Sequence, residues 1–165
     1  MTSPSLLCMV LVSAVSLRAQ APMSMPTPTH MASPNPGEEK VEAPEACQRC
    51  GMNRTKFAHS RMIVTYEDGT MVGMCSLHCA AAELGMNKGK PVKTLFVADY
   101  SNKKNRVDAK TATWVIGGSQ KGVMTMVPKW AFEKKQDAEM FMQMNGGKLA
   151  TYDEAMAMAG KELKP

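Results

Sequence analysis

Residues 57–66 form a run of apolar and β-branched side chains that ends at Glu67-Asp68-Gly69-Thr70, and residues 71–75 resume it. Two such runs around Asp-Gly predict a hairpin closed by a type I′ turn, whose two central residues both take positive φ. With Asp68 and Gly69 in the turn, Tyr66 faces Met71, Ile63 faces Met74 and Met62 faces Cys75. The period then changes. After Ser76, a good N-cap residue, Leu77, Ala80, Ala81 and Leu84 recur at i, i+3, i+4 and i+7. That spacing predicts a helix, which Gly85, Gly89 and Pro91 bring to an end. Residues 94–100 read as a third strand.

The same order follows a second time. Residues 112–116 predict a strand that Gly117-Gly118 breaks, and residues 123–127 predict its partner. Residues 136–145 predict a helix with Ala138, Phe141 and Met142 turned inward, stopped by Gly146. Residues 148–150 predict a short strand. Thr151-Tyr152-Asp153-Glu154 has the form of a capping box. It opens a last helix with Tyr152, Ala155, Met156 and Ala159 on one face. The expected fold class is therefore α+β: two tandem ββαβ units packed together, over 47–105 and over 106–165 with the C-terminal helix.

What precedes residue 47 is of another kind. Residues 6–17 are apolar but shorter than the roughly 20 residues of a membrane span, and Ala19-Gln20-Ala21 follows them. This is the form of a secretory signal peptide over 1–21, so export to the periplasm is expected. Leu7 stands before Cys8, where a lipid-anchor signal would place a small residue, so a lipid anchor is not expected. Residues 22–46 are rich in Pro, Ser, Thr, Glu and Ala and hold too little apolar surface to offset their ordering entropy, which predicts a disordered linker.

The 165-residue chain is 44% hydrophobic and 21% charged, close to a globular average, which argues against a polytopic membrane protein. Its net charge of +5 is spread thinly. Lys103-Lys104-Asn105-Arg106 and Lys134-Lys135 are the densest basic groups, and no nucleic-acid-binding motif accompanies them. No nucleophile–base pair is visible, so neither nucleic-acid binding nor catalysis is expected. Methionine is the unusual count, at 17 residues. Most would fill the core, since the side chain is flexible, but a thioether is also a soft ligand suited to Cu(I).

The candidate chemistry lies in Cys47-Gln48-Arg49-Cys50-Gly51-Met52 and Cys75-Ser76-Leu77-His78-Cys79, two chelating pairs joined by the hairpin. The second pair sits at a helix start, where the helix dipole favours thiolates. Met52 follows the first pair, and the register above puts Met62 beside Cys75. Three arrangements fit: a closed tetrathiolate zinc site, two disulfides, or an open Cu(I) site of thiolates and thioethers.

These residues resemble the nitrous-oxide-reductase accessory protein family, of NosL type. The two cysteine motifs and Tyr66-Glu67-Asp68-Gly69 carry the resemblance in the first half. Trp114-Val115-Ile116-Gly117-Gly118, Ala131-Phe132, Asp137-Ala138-Glu139-Met140-Phe141 and Asn145-Gly146-Gly147 carry it in the second. The resemblance implies two tandem ββαβ units and an exported Cu(I)-binding metallochaperone rather than an enzyme. It implies delivery to the catalytic copper–sulfur centre of nitrous oxide reductase, directly or through a membrane copper transporter, with any membrane association made through that partner. Carried onto this chain, it implies Cys50 and Met52 as copper ligands, with Met124 or Met126 from the second half. The more complete Cys75/Cys79 pair adds, beside these, a four-cysteine set of the heavy-metal-knuckle kind. Structural zinc or disulfide stabilisation, outside any service to nitrous oxide reductase, is the alternative role.

Overall fold

The structure, a computed structural model of the chain, describes Glu42 and residues 44–163. The expected signal peptide, Cys8 and nearly all of the expected linker lie outside the described residues. Ten elements follow in order: β1 (Met62–Tyr66), β2 (Met71–Met74), α1 (Leu77–Met86), β3 (Val92–Ala98), β4 (Arg106–Asp108), β5 (Thr113–Ile116), β6 (Lys129–Phe132), α2 (Lys135–Asn145), β7 (Lys148–Ala150) and α3 (Tyr152–Glu162). They form one antiparallel sheet in the order β2-β1-β3-β4 and a second in the order β6-β5-β7. Each half is thus a ββαβ unit, as expected; its first strand lies in the middle of its sheet, and the unit is extended by β4 in one half and α3 in the other. Among the described residues no helix is long and apolar enough to cross a membrane.

Strand alternation explains how the layers meet. Met62, Val64, Tyr66, Val72, Met74, Leu95 and Val97 share one face of the first sheet and pack toward α1 in the main core. In the second sheet Trp114, Ile116 and Ala131 enter that same core, while Val115, Trp130 and Phe132 turn to the other face and pack with Ala138 and Phe141 of α2. Helix α3 lies against α1, with Ala155 and Ala159 fully buried. Its capping box is present: the Thr151 hydroxyl accepts from the Glu154 N–H, and the Glu154 carboxylate accepts from the Thr151 N–H.

Three expectations are corrected. The hairpin pairs Met62 with Met74 and Thr65 with Met71, one residue away from the expected register. The reason is the turn. Gly69 alone takes positive φ, at 84°, and Tyr66 pairs with Thr70 around a three-residue loop. This is a type I turn with a glycine bulge rather than a two-residue type I′ turn. Second, residues 123–127 form a loop, and the partner of β5 is Lys129–Phe132. Met124 has φ 56° and Met126 is 94% exposed, so the apolar run does not alternate as a strand would. Third, Ser76 occupies the N-cap of α1 but its side chain makes no capping bond.

Candidate metal centre

The first cysteine pair sits in a tight loop ahead of β1. Ala46 bridges Asn53, the Cys47 N–H donates to the Met52 carbonyl at 2.8 Å, and the Gly51 N–H donates to the Cys47 carbonyl at 2.8 Å. Gly51 takes φ 76°, which lets the chain reverse directly after Cys50. Gln48 docks this loop on the edge of β2. Its N–H donates to the Gly73 carbonyl at 3.0 Å, and its side-chain oxygen accepts from the Gly73 N–H at 2.8 Å. Gly73 has to be glycine for this approach: a Cβ there would lie 2.7 Å from Pro44 Cδ and 2.8 Å from the Arg54 guanidinium.

Arg54 locks the same region from behind. Its fully buried guanidinium donates to the carbonyls of Met74 and Met62, both at 3.2 Å, and to the Glu42 carbonyl at 2.8 Å. It also pairs with the Glu42 carboxylate at 2.6 Å, and Arg61 pairs with that carboxylate at 3.0 Å. The ordered chain therefore reaches back beyond Cys47. On the other side Arg49, between the two cysteines, reaches the buried Glu83 of α1 at 3.4 Å. Glu83 also accepts from Tyr66 at 3.0 Å and from Asn87 at 2.9 Å. Burial, and next the Glu83 carboxylate, push the Tyr66 phenol up to about 12, so it remains a donor.

The second pair closes the site. Cys75 follows β2 directly, and its carbonyl accepts from the Ser60 hydroxyl at 2.7 Å; Cys79 lies in the first turn of α1. The sulfurs of Cys47, Cys50, Cys75 and Cys79 all lie within 4.8 Å of one another. Cys50 Sγ is 3.5 Å from Cys75 Sγ, and Cys75 Sγ is 3.7 Å from Cys79 Sγ. These are contacts between free thiols, well beyond the roughly 2.05 Å of a disulfide bond.

The four are not equivalent. Cys47, Cys75 and Cys79 are buried and Cys50 is partly exposed. Burial opposes ionisation of Cys47, but the backbone N–H groups of Arg49, Cys50 and Cys75 outweigh it and bring the thiol down to about 7. Burial pushes the Cys50 thiol up to about 11, against a backbone hydrogen bond from Met52. Hydrogen bonding with Cys79, then burial, push Cys75 up. The cluster thus pairs one thiol that ionises readily, Cys47, with two, Cys50 and Cys75, that hold their protons more tightly, and metal binding there would release protons.

The thioethers fall into two groups. Met52 is partly buried and packs against the core beside Cys50. Met62 is 1% exposed, and the corrected register sets it opposite Met74, so the pairing that placed it beside Cys75 is withdrawn. Met124 and Met126 are exposed on the loop between β5 and β6. Glu162 of α3 fixes that loop by accepting from the Thr125 hydroxyl at 2.6 Å, the Val127 N–H at 3.2 Å and Lys129 at 3.0 Å. Glu162 also lies 3.6 Å from Nδ1 of His78, the neighbour of Cys79 on α1. The sequence reading missed Gln48, Arg54, Glu83 and Glu162. Gln48 lies inside the first motif and Arg54 two residues after it, and that proximity was the one signal that could have pointed to them.

A profile of the NosL family matches residues 38–158. The chain belongs to the NosL family. Among solved structures it is similar to the copper chaperone NosL from Shewanella denitrificans, with 26% identity over 70% of this chain and 92% of that one and a TM-score of 0.56. No protein in the curated set matches it significantly.

Proposed function

We propose that this NosL-family protein is an exported copper chaperone, not an enzyme, that carries Cu(I) and passes it on for assembly of the copper–sulfur centre of nitrous oxide reductase. The observation that carries this reading is the convergence of four free thiols within 4.8 Å, with the partly exposed Cys50 two residues from Met52. Thiolate and thioether sulfur together select a soft monovalent ion. Similarity to a copper chaperone of known structure supports the same cargo. Cys50 and Met52 form the approachable edge of the cluster. An incoming donor from a partner can add to a low-coordinate Cu(I) there before a bond to Cys50 breaks. Cys47, Cys75 and Cys79 are the candidate inner donors, and Met124 and Met126 are exposed thioethers for the handover. The recipient is nitrous oxide reductase itself or the membrane transporter that feeds it.

The test is transfer. Protein loaded with one Cu(I) is mixed anaerobically with copper-free nitrous oxide reductase, with and without the transporter in vesicles, and nitrous oxide reduction is followed. Restored activity that exceeds the activity from an equal concentration of chelated Cu(I), and that is lost in Cys50→Ser, is expected. Equal restoration by chelated copper would contradict the delivery role.

A further inference from the structure

We infer that Met140 and Met144 of α2 form a further Cu(I) site, a surface pair of thioethers separate from the cysteine cluster. The identity of the ion rests on the copper-carrier reading; the place of the site rests on the geometry of α2. Asp137, Met140, Phe141 and Met144 recur at i, i+3, i+4 and i+7, so they share one stripe of the helix. That stripe lines a cavity of about 270 Å³ together with Tyr100 and Phe132. The second sheet separates this stripe from the cysteines. Trp114, Ile116 and Ala131 face the main core, which holds Cys47, Cys75 and Cys79, whereas Phe132 and Phe141 belong to the smaller core on the other face.

The two methionines are out of place as packing residues. An amphipathic surface helix carries polar side chains at its outward positions, as Lys135, Gln136 and Gln143 do here. Met140 is 55% exposed and Met144 76%, so burial of their side chains contributes little to stability. As donors they are well placed. Residues four apart on a helix have Cβ atoms about 5–6 Å apart, close enough for two flexible thioethers to turn their sulfurs onto one ion. Thioether sulfur selects Cu(I) over harder cations. Asp137 is the one charged side chain among the described residues that line the cavity, and its carboxylate offsets the charge of a bound cation. The floor is a fixed aromatic cluster, with the Phe141 ring 4.9 Å from that of Tyr100 and 5.3 Å from that of Phe132. Aromatic rings attract a cation at their faces and contact sulfur favourably. On binding, two sulfur–copper bonds form as the bonds from Cu(I) to its carrier break. The thioethers have no proton to release, unlike the thiols of the cluster, and no electron moves.

The experiment uses the full chain, reduced and kept anaerobic, with its methionine methyl groups labelled with carbon-13. Cu(I), supplied as its acetonitrile complex, is added stepwise while the methyl signals are followed by NMR. Met140→Leu and Met144→Leu identify the two signals, and leucine keeps most of the volume of methionine, so the fold is retained. The Met52 signal is expected to move first, as the cysteine cluster fills, and the signals of Met140 and Met144 are then expected to move together. Zn²⁺ in place of Cu(I) should leave both of these signals where they are. A chain carrying both leucine substitutions should take up one Cu(I) fewer than the unsubstituted chain and unfold at the same urea concentration. Movement of only one of the two signals, or an equal Cu(I) count in the doubly substituted chain, would overturn the site. An equal response to Zn²⁺ would overturn its preference for a soft ion. A Met52 signal that moves while Met140 and Met144 stay still would overturn the site and leave the copper-carrier reading intact. Movement of Met140 and Met144 with Met52 unmoved would uphold the site and contradict the copper-carrying edge at Cys50 and Met52.

Discussion

Glu42 shows how much of the site depends on a single side chain outside both cysteine motifs. Its carboxylate joins Arg54 and Arg61, and through Arg54 it ties the segment before Cys47 to β1 and β2. Burial alone would raise its pKa, but its own backbone N–H and the two guanidinium groups outweigh that and hold it below the ordinary 4.5. A carboxylate with a depressed folded pKa contributes stability that is complete above 4.5 and is lost as pH falls through the lower folded value. Glu42→Gln should therefore destabilise the protein at pH 7 and flatten its loss of stability below pH 4.5. Thermal midpoints of both proteins across that range check this, and parallel curves would show that Glu42 contributes no pH dependence. Membership of the cluster was legible in the sequence because each cysteine lies in a compact chelating motif. The pins around it were not. Nothing in the spacing of Glu42, Arg54 and Arg61 says that one carboxylate takes both cations.

The hairpin and the loop before β6 show why some elements were legible and others were not. The periodicities of α1, α2 and α3 follow from faces that bury alanine, leucine and phenylalanine, and they give the helices to within a residue or two. Register is set by finer chemistry. Asp68-Gly69 suits both a two-residue and a three-residue loop, and the choice shifts every pair by one. Strand β6 was hidden because Lys129, 6% exposed, stands at a buried position where a cation usually marks a turn. Its partner Glu162 lies in another element, out of reach of any local pattern. Glu162→Ala would leave the Lys129 ammonium buried without its carboxylate. Loss of a partner from a buried pair costs about 3–5 kcal/mol, so a drop in unfolding free energy toward that size is expected. Hydrogen exchange should rise first at residues 123–128, and uniform exchange across the chain would contradict the anchoring role. In β2, Gly73→Ala forces Pro44 or Arg54 to shift and should cost about 1–3 kcal/mol by urea unfolding. Unchanged stability would show that the cysteine loop does not need that close approach.

Across the whole molecule, the two small sheets share one main core, the second sheet buries a smaller one with α2 on its other face, and α3 of the second half covers α1 of the first. The element order of each half was legible because apolar and β-branched runs give way to helical spacing between Gly and Pro breaks. Their mutual packing was not, since Trp114, Ile116 and Ala131 carry no mark of which helix they meet. This arrangement holds α1, and so Cys79, from both sides, with the cysteine loop seated on β2 and the open corner of the thiol cluster at Cys50. The reading of this corner as a cargo site stands or falls on Cu(I) affinity. An anaerobic competition titration against a Cu(I) chelator, run on the full chain, Cys50→Ser and Met52→Leu, measures it. Leucine preserves most of the volume of methionine, so a packing role for Met52 would survive the change at a cost below about 1.5 kcal/mol. The prediction is that the wild-type chain holds one Cu(I) firmly, that Cys50→Ser loses most of that affinity, and that Met52→Leu weakens it while unfolding at the same urea concentration. Equal Cu(I) affinity in all three proteins would contradict the assignment of Cys50 and Met52 as the copper-carrying edge.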